Sequence, residues 1–399
     1  MDSYWIDFIG MLVRWLHLIA GIAWVGSSFY FIWLDRSLEP PAPDSENAKK
    51  GVGGELWAVH GGGFYNPQKY LVAPAKLPEK LHWFMWESYT TWLTGIGLLV
   101  LLYWLKASTM MVDQNVAVIS AAQAIGISFG AILVAWVVYD QLCKSPLGQN
   151  DAVLGAIVYA LLVALAWGLS HWLGGRAAFI QTGVCIGTIM SANVFFVIIP
   201  GQRRMVDAMR AGQEPNPLDG KRGKQRSVHN NYFTLPILFI MISNHYSSTY
   251  SHPYNWAVLA LMGAAGVLIR HFFNLRHKGI YAWHYPAVGT VMLGVVCWWT
   301  TPRLAPLPPV QGEVNFARVR SIIGQRCVMC HSPAPTFPGI TVPQAGVLLH
   351  TPADILKNSQ RLYQQVVVTR IMPLGNATQI TDEERAVIAE WMKAGAKPE

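Results

Sequence analysis

Charged side chains are scarce in this chain: Asp, Glu, Lys and Arg make up 13% of its 399 residues, about half the share usual in soluble domains. A run of ordinary soluble domains is therefore excluded. Five cysteines, scattered along the chain, are too few for a disulfide scaffold. Zinc-finger spacing, a phosphate-cradling glycine loop and a GxGxxG opening a βα unit are all missing, which removes those binding classes. A cleavable signal peptide is missing too, because the first apolar stretch is too long and lacks a basic start and a small-residue cleavage site. That stretch is expected to be a true membrane span.

What the chain does have is apolar length. Hydrophobic residues reach 52%, with 17 tryptophans, and this is membrane composition. The net charge of +8 could point to nucleic acid, but the basic residues sit in short segments between apolar runs, so no nucleic-acid partner is expected. Stretches able to cross about 30 Å of hydrocarbon run over 5–34, 81–105, 118–142, 152–172, 177–200, 230–250, 254–273 and 281–301. The spacing predicts an all-α polytopic bundle of about eight transmembrane helices within 1–302. Sixteen Lys and Arg fall in the odd-numbered loops, while the even-numbered loops hold only Lys106 and Arg176. Positive charge stays inside, so a bacterial inner membrane protein with both termini periplasmic is expected. The first loop, about 35–80, alternates short apolar runs with glycines and reads as a small hairpin or cap. The basic segment 201–229 reads as a cytoplasmic loop that sets topology.

A proline-rich tether, 303–311, leads into a more polar segment, 312–399, with helical patterning. Here lies the sharpest motif, CVMCH, Cys327 to His331. C-x-x-C-H is the haem c attachment pattern: two thiols three apart on one turn can add to one porphyrin edge, and the adjacent histidine then sits beneath the iron. A redox dithiol or half a zinc site is the competing reading, yet no second thiol pair follows. Met372, in RIMPLG, is the expected sixth ligand, since a thioether favours ferrous iron, and Pro373 restricts the backbone beside it. Met329 is caught inside the attachment loop, His350 is expected at the surface or near a propionate, and Met392 in the core. Thr381 with Glu384 forms a capping box for a terminal helix. With a first helix over 314–326, and Phe316 and Trp391 as packing residues, 312–399 reads as a periplasmic class I cytochrome c domain.

Within the bundle, polar groups mark where function could reside. Arg14 and His17, three apart, share a helix face. A buried Arg14 needs an acidic partner, a propionate or an anionic substrate; alternatively it snorkels outward. His82, Glu87, His271 and His284 fall toward the cytoplasmic ends of their spans, and His171, His245 and His252 toward the outside. Asn193 and Asn244 add polar groups in apolar surroundings. Two histidines on different helices could hold a b-type haem, handle substrate or protons, or simply bond helix to helix.

The blocks WIDFIGMLVRWLHLIAGIAWVGSSFYFIWLD, GGELWAVHGGGFY and LHWFMWESYTTWLTG, with eight spans and a CxxCH tail, resemble the bacterial membrane-bound, cytochrome c-linked urate oxidase (urate hydroxylase) family over essentially 1–399. The resemblance implies oxidation of urate to 5-hydroxyisourate in purine catabolism. Electrons would pass through haem c to a respiratory acceptor such as a cytochrome c or a terminal oxidase. It implies that Cys327, Cys330 and His331 attach the haem and that Met372 is its distal ligand, while the urate-binding residues stay unassigned. A flat anion suits an Arg, a proton acceptor and aromatic faces, which makes Arg14 the candidate clamp and His17 or Glu87 the candidate proton acceptor. Two electrons leave urate but a haem takes one, so a haem b in the bundle is a further expectation. The alternatives are a quinol-to-cytochrome c oxidoreductase and a non-catalytic, membrane-anchored electron-transfer cytochrome.

Overall fold

The computed structural model describes residues 2–399 apart from 71–73, 75, 302–305, 339, 341 and 399, with the backbone alone at 2–4, 6 and 7. Among the described residues the chain is mostly helical, and eight long helices form the first three-quarters. They are α1 (Asp2–Ser37), α2 (Trp86–Leu99, continued as a π-helical turn over Val100–Trp104), α3 (Ala121–Lys144) and α4 (Asp151–Ser170). Then come α5 (Gly175–Arg210, π-helical over Asn193–Ile198), α6 (Pro217–Ser243), α7 (Asn255–Arg276) and α8 (His284–Trp299). Local chemistry sets several boundaries. Ser120 and Gln123 make a capping box for α3, Asn150 caps α4, and Asn216 caps α6 with Pro217 in its first turn.

Among the described residues five helices, α1, α3, α4, α5 and α7, are long and apolar enough to cross a membrane, fewer than the eight expected. The other three miss for identifiable reasons. The α-helical part of α2 has 14 residues and α8 has 16. The long α6 carries Arg226, Asn230 and Asn231, all buried, so its polar side chains face protein and lower its apolarity. The segment 201–229, expected as a loop, is helical except around 211–216, and Arg226 is 3% exposed.

The bundle's outer surface is apolar. Trp15, Ile22, Val291 and Trp298 are each about two-thirds exposed, a patch character that soluble monomers avoid. The centre is α5, much the most buried of the five. Gly183 and Gly187 lie on its face toward α6, and a Cβ on Gly183 would meet Ile240 at 2.6 Å. Small residues four apart let the two backbones close up, as membrane helices require.

The first loop folds into two antiparallel pairs, β1 (Val52–Glu55) with β4 (Gln68–Tyr70) and β2 (Ala58–His60) with β3 (Gly63–Tyr65). This is the cap its glycine pattern indicated. Of the tether, 303–305 lies outside the described residues. The tail builds its own core from α9 (Phe316–Arg326), α10 (Pro352–Lys357), α11 (Ser359–Tyr363) and α12 (Asp382–Lys393). Thr381 and Glu384 do cap α12 reciprocally. Helices α9 and α12 pack together, with Phe316 and Trp391 at 5.8 Å between ring centroids.

Candidate functional site

The CVMCH motif coils directly off the end of α9. The amides of Cys330 and His331 both donate to the Cys327 carbonyl, at 3.1 and 3.0 Å, which sets two thiols and an imidazole on one short arc. His331 Nδ1 bonds the Val347 carbonyl at 3.0 Å. A carbonyl can only accept, so Nδ1 carries the proton and Nε2 keeps its lone pair for a metal, the arrangement that second-shell partners impose on ligating histidines. Burial, and then the neighbouring Cys330, push the Cys327 thiol up to about 12, and burial pushes Cys330 up as well. Redox dithiols show the opposite shift, which counts against that reading.

Met372 is half-buried against the same core as Cys327. Its amide donates to the Gln365 carbonyl at 3.0 Å, and its own carbonyl accepts from Arg385 Nη1 at 3.0 Å. The same Nη1 also donates to the Val366 carbonyl. Two residues before Met372, Arg370 faces Asp382 at 3.3 Å through Nη1, while its Nε and Nη2 are buried without a partner. Thiols for the porphyrin edge, an imidazole, a thioether and spare guanidinium donors that suit a propionate together fit a haem c. His350 pairs with Asp354 at 3.0 Å, and Met392 packs on the tail core.

The Met372 loop does not stand free. Ile371 packs into the cluster of Phe179, Ile186 and Tyr250 at one end of the bundle. Gly375, at φ +55, lies so close to the loop before α3 that a Cβ would meet the Val112 carbonyl at 2.7 Å. Ser248, residues 251–253, 299–301 and 368–369 line a shared cleft of about 260 Å³ at the same end.

The three catalytic candidates are spread along the α1–α2 contact. His17 Nδ1 meets Thr91 O and Thr94 Oγ1, each at 3.0 Å, and Gly95 lies against its ring. Arg14 is exposed on α1 and has no ion pair among the described residues. Glu87 stands in the first turn of α2, where its charge complements the helix N-terminus. The helical rise puts Arg14 and Glu87 on opposite sides of His17, roughly 10–15 Å apart along the axis. The structure does not bring the trio together. The bundle histidines meet aromatic rings: His271 and His284 each contact Tyr285, His229 contacts Tyr139, and His252 contacts Trp299.

Two buried arginine networks lie elsewhere in the bundle. In the first, Arg226 bonds Asp140 Oδ1 at 2.8 Å and Asn193 Oδ1 at 3.0 Å, and lies over the Tyr139 ring at 4.9 Å. Asn193 in turn donates to Tyr139 Oη and Asn230 Oδ1, at 3.0 and 2.9 Å. Its one loose atom is His229 Nε2, while His229 Nδ1 meets Tyr139 Oη at 2.8 Å. This network joins α3, α5 and α6 at the π-helical turn, a feature often found at functional sites. In the second, Arg270 of α7 lies 3.7 Å from the centroid of the Phe29 ring and donates from Nε to Asn231 Oδ1 at 2.9 Å. Asn274 Nδ2 donates to that same oxygen at 3.0 Å, and Arg36 Nη1 donates to the Asn274 carbonyl at 2.7 Å. Asn193 drew attention from the sequence; Arg270, Asn231 and Asn274 did not. The available signal was an Arg inside the apolar run VLALMGAAGVLIRHFFNLR, with an Asn four residues on.

Fold and site together define a helical bundle of membrane character whose C-terminal segment carries a CxxCH turn and, on the same core, Met372. The model of the urate oxidase N-terminal family matches residues 3–301. The chain belongs to that family. No curated protein and no solved structure matches it.

Proposed function

We propose that the chain is a membrane-bound, cytochrome c-linked urate oxidase. It would oxidise urate in the bundle, and Cys327, Cys330, His331 and Met372 would hold a haem c that supplies one-electron transfer toward a respiratory acceptor such as a cytochrome c or a terminal oxidase. In this reading all eight long helices span a bacterial inner membrane, and residues 312–399 form a periplasmic cytochrome c domain. Family membership supplies the urate chemistry. The observation that carries the coupling is the seating of the Met372 loop on the bundle through Ile371 and Gly375, which sets the haem-ligand loop against the family domain. Arg36, Lys224, Arg276 and Lys278 lie at or beyond the opposite ends of the same helices, as a cytoplasmic face would require.

Urate and water give 5-hydroxyisourate, two protons and two electrons. A haem c held by these residues would supply a one-electron acceptor. Oxygen need not be reduced. The chain's own contribution is to bind the flat anion away from bulk water, to take up protons at side chains such as His17, and to hold Met372 and His331 in place through Arg385 and the Val347 carbonyl.

The test is anaerobic addition of urate to purified, oxidised protein. The reduced c-type band is expected to appear, and to be absent when Cys327 and Cys330 are replaced. Full reduction by a quinol with none by urate would overturn the urate assignment in favour of a quinol-to-cytochrome c oxidoreductase. Reduction by neither would leave an electron-transfer anchor.

A further inference from the structure

The buried Arg270 lacks what a buried Arg normally has. It is 5% exposed, yet no carboxylate lies within ion-pair distance of it among the described residues. An uncompensated buried charge is strongly unfavourable, and the Phe29 ring beneath it offsets only part of that. Charges of the same sign gather around it. His277, just beyond α7, is held below its ordinary pKa by burial and then by Arg270, Arg36 and Arg276. The network is thus a concentration of positive charge with no internal counter-ion.

Its unpaired atoms can be identified from the bonds already made. A guanidinium only donates, so Asn231 must turn its oxygen to Arg270 Nε. Asn274 bonds that same oxygen and must therefore present its nitrogen. Three buried atoms are left without partners: Arg270 Nη2, Asn231 Nδ2 and Asn274 Oδ1. Their residues are 5%, 0% and 1% exposed respectively. Buried polar groups in native proteins are satisfied, so this set calls for a ligand offering acceptors to two donors and one N–H to an acceptor, with a negative charge for the arginine. Simple carboxylates have acceptors but no donor, and would face the lone pairs of Asn274 Oδ1; hydrogen phosphate can donate through one P–OH, so competition by phosphate is what separates it from an oxopurine. An oxopurine anion alternates ring N–H groups, carbonyls and a deprotonated nitrogen around a flat edge, and meets all three requirements.

We propose that Arg270, Asn231 and Asn274 form the binding site for an oxopurine anion of the urate class, reached from the end of the bundle where α1 and α7 finish. Arg270 lies six residues and Asn274 two residues before the last residue of α7, so the site sits about 3–9 Å inside that helix end. Arg36, next to last in α1, braces it through the Asn274 carbonyl. Asp35 is engaged by Lys69 and Lys224, so the nearby acid is held by other cations. The proposal rests on the urate reading above and deepens it by naming the residues that hold the substrate.

The experiment uses the full holoprotein in detergent with its haem c reduced by dithionite, so that bound urate cannot be consumed, and measures radiolabelled urate by equilibrium dialysis. The unmodified chain is expected to bind urate, with inorganic phosphate failing to compete. Arg270→Gln removes a charge-assisted bond and is expected to weaken binding roughly ten- to hundredfold, with the c-type haem spectrum unchanged. Asn274→Asp places a carboxylate beside Arg270 in place of the amide that bonds Asn231 Oδ1, and is expected to lose urate by at least about tenfold with the c-type haem spectrum unchanged. Because this variant supplies a counter-ion, it decides the matter even if Arg270→Gln does not fold. Urate bound equally by the unmodified chain and both variants overturns the site and leaves the urate reading standing. No urate binding to the unmodified chain overturns the urate reading itself.

Discussion

Arg226 and Arg270 are both buried in the same bundle, and both make hydrogen bonds to asparagine side chains. They differ in one neighbour. Arg226 has Asp140 at 2.8 Å, and among its immediate partners each buried polar atom is taken. Arg270 has an aromatic face in place of a carboxylate, and its network ends in three unpaired atoms. The first charge is matched inside the chain and serves to join α3, α5 and α6. The second has no carboxylate partner among the described residues. Buried charge by itself therefore marks neither stability nor function; its unsatisfied remainder separates the two.

The largest expected effect lies on the closed side. Arg226→Met leaves Asp140 half-matched by the exposed Lys144 and should cost about 3 kcal/mol, read from denaturation in detergent by tryptophan fluorescence. Arg270→Met removes an unmatched charge and should cost far less. Equal losses would break the comparison.

The tail offers the same contrast on a smaller scale. Arg385 is spent on the carbonyls of Val366 and Met372, whereas Arg370 keeps Nε and Nη2 free beside the Met372 loop. In the proposed haem c site, removing a positive charge near the iron would favour its oxidised form. Arg370→Gln should accordingly lower the haem c midpoint potential by an amount on the order of tens of millivolts, with little change in melting temperature. A potentiometric titration showing no shift would place Arg370 with the purely structural arginines.

Asp354 marks the lower end of the scale. Partly buried at the start of α10, its carboxyl is held below the ordinary 3.8 first by the Thr351 hydroxyl, opposed by desolvation, with the Thr351 amide and then His350 adding smaller effects. A depressed pKa contributes stability that is present at neutral pH and fades as pH falls through the folded-state value, which lies under 3.8. Asp354→Asn should flatten the acid limb of the tail's unfolding profile and change neutral stability only slightly. A large neutral loss would break this ordering.

Much of this could be read without coordinates because it is local. CVMCH needs only spacing, the capping boxes need only four residues, and the glycine-punctuated first loop does form its paired strands. The misreadings share one cause. Segment 201–229 reads as a loop because its charge suggests water, yet Arg226 is satisfied by Asp140, 86 residues away. Arg14 and His17 share a face by their spacing, but spacing does not say whether that face meets protein, and Arg14 is exposed while His17 packs on α2.

The sequence by itself determined that the chain is helical and apolar, that its C-terminal segment carries the CVMCH motif and Met372, and that its basic residues are concentrated between alternate pairs of apolar runs. These follow from periodicity, composition and motif spacing, all properties of neighbouring residues. Only the tertiary structure decided which arginine is matched and which is left open, and that the Met372 loop seats on the bundle. Those outcomes depend on contacts such as Arg270 with Asn231, 39 residues apart, because a hydrogen bond's partner is chosen by how helices pack, and chain order does not encode that choice.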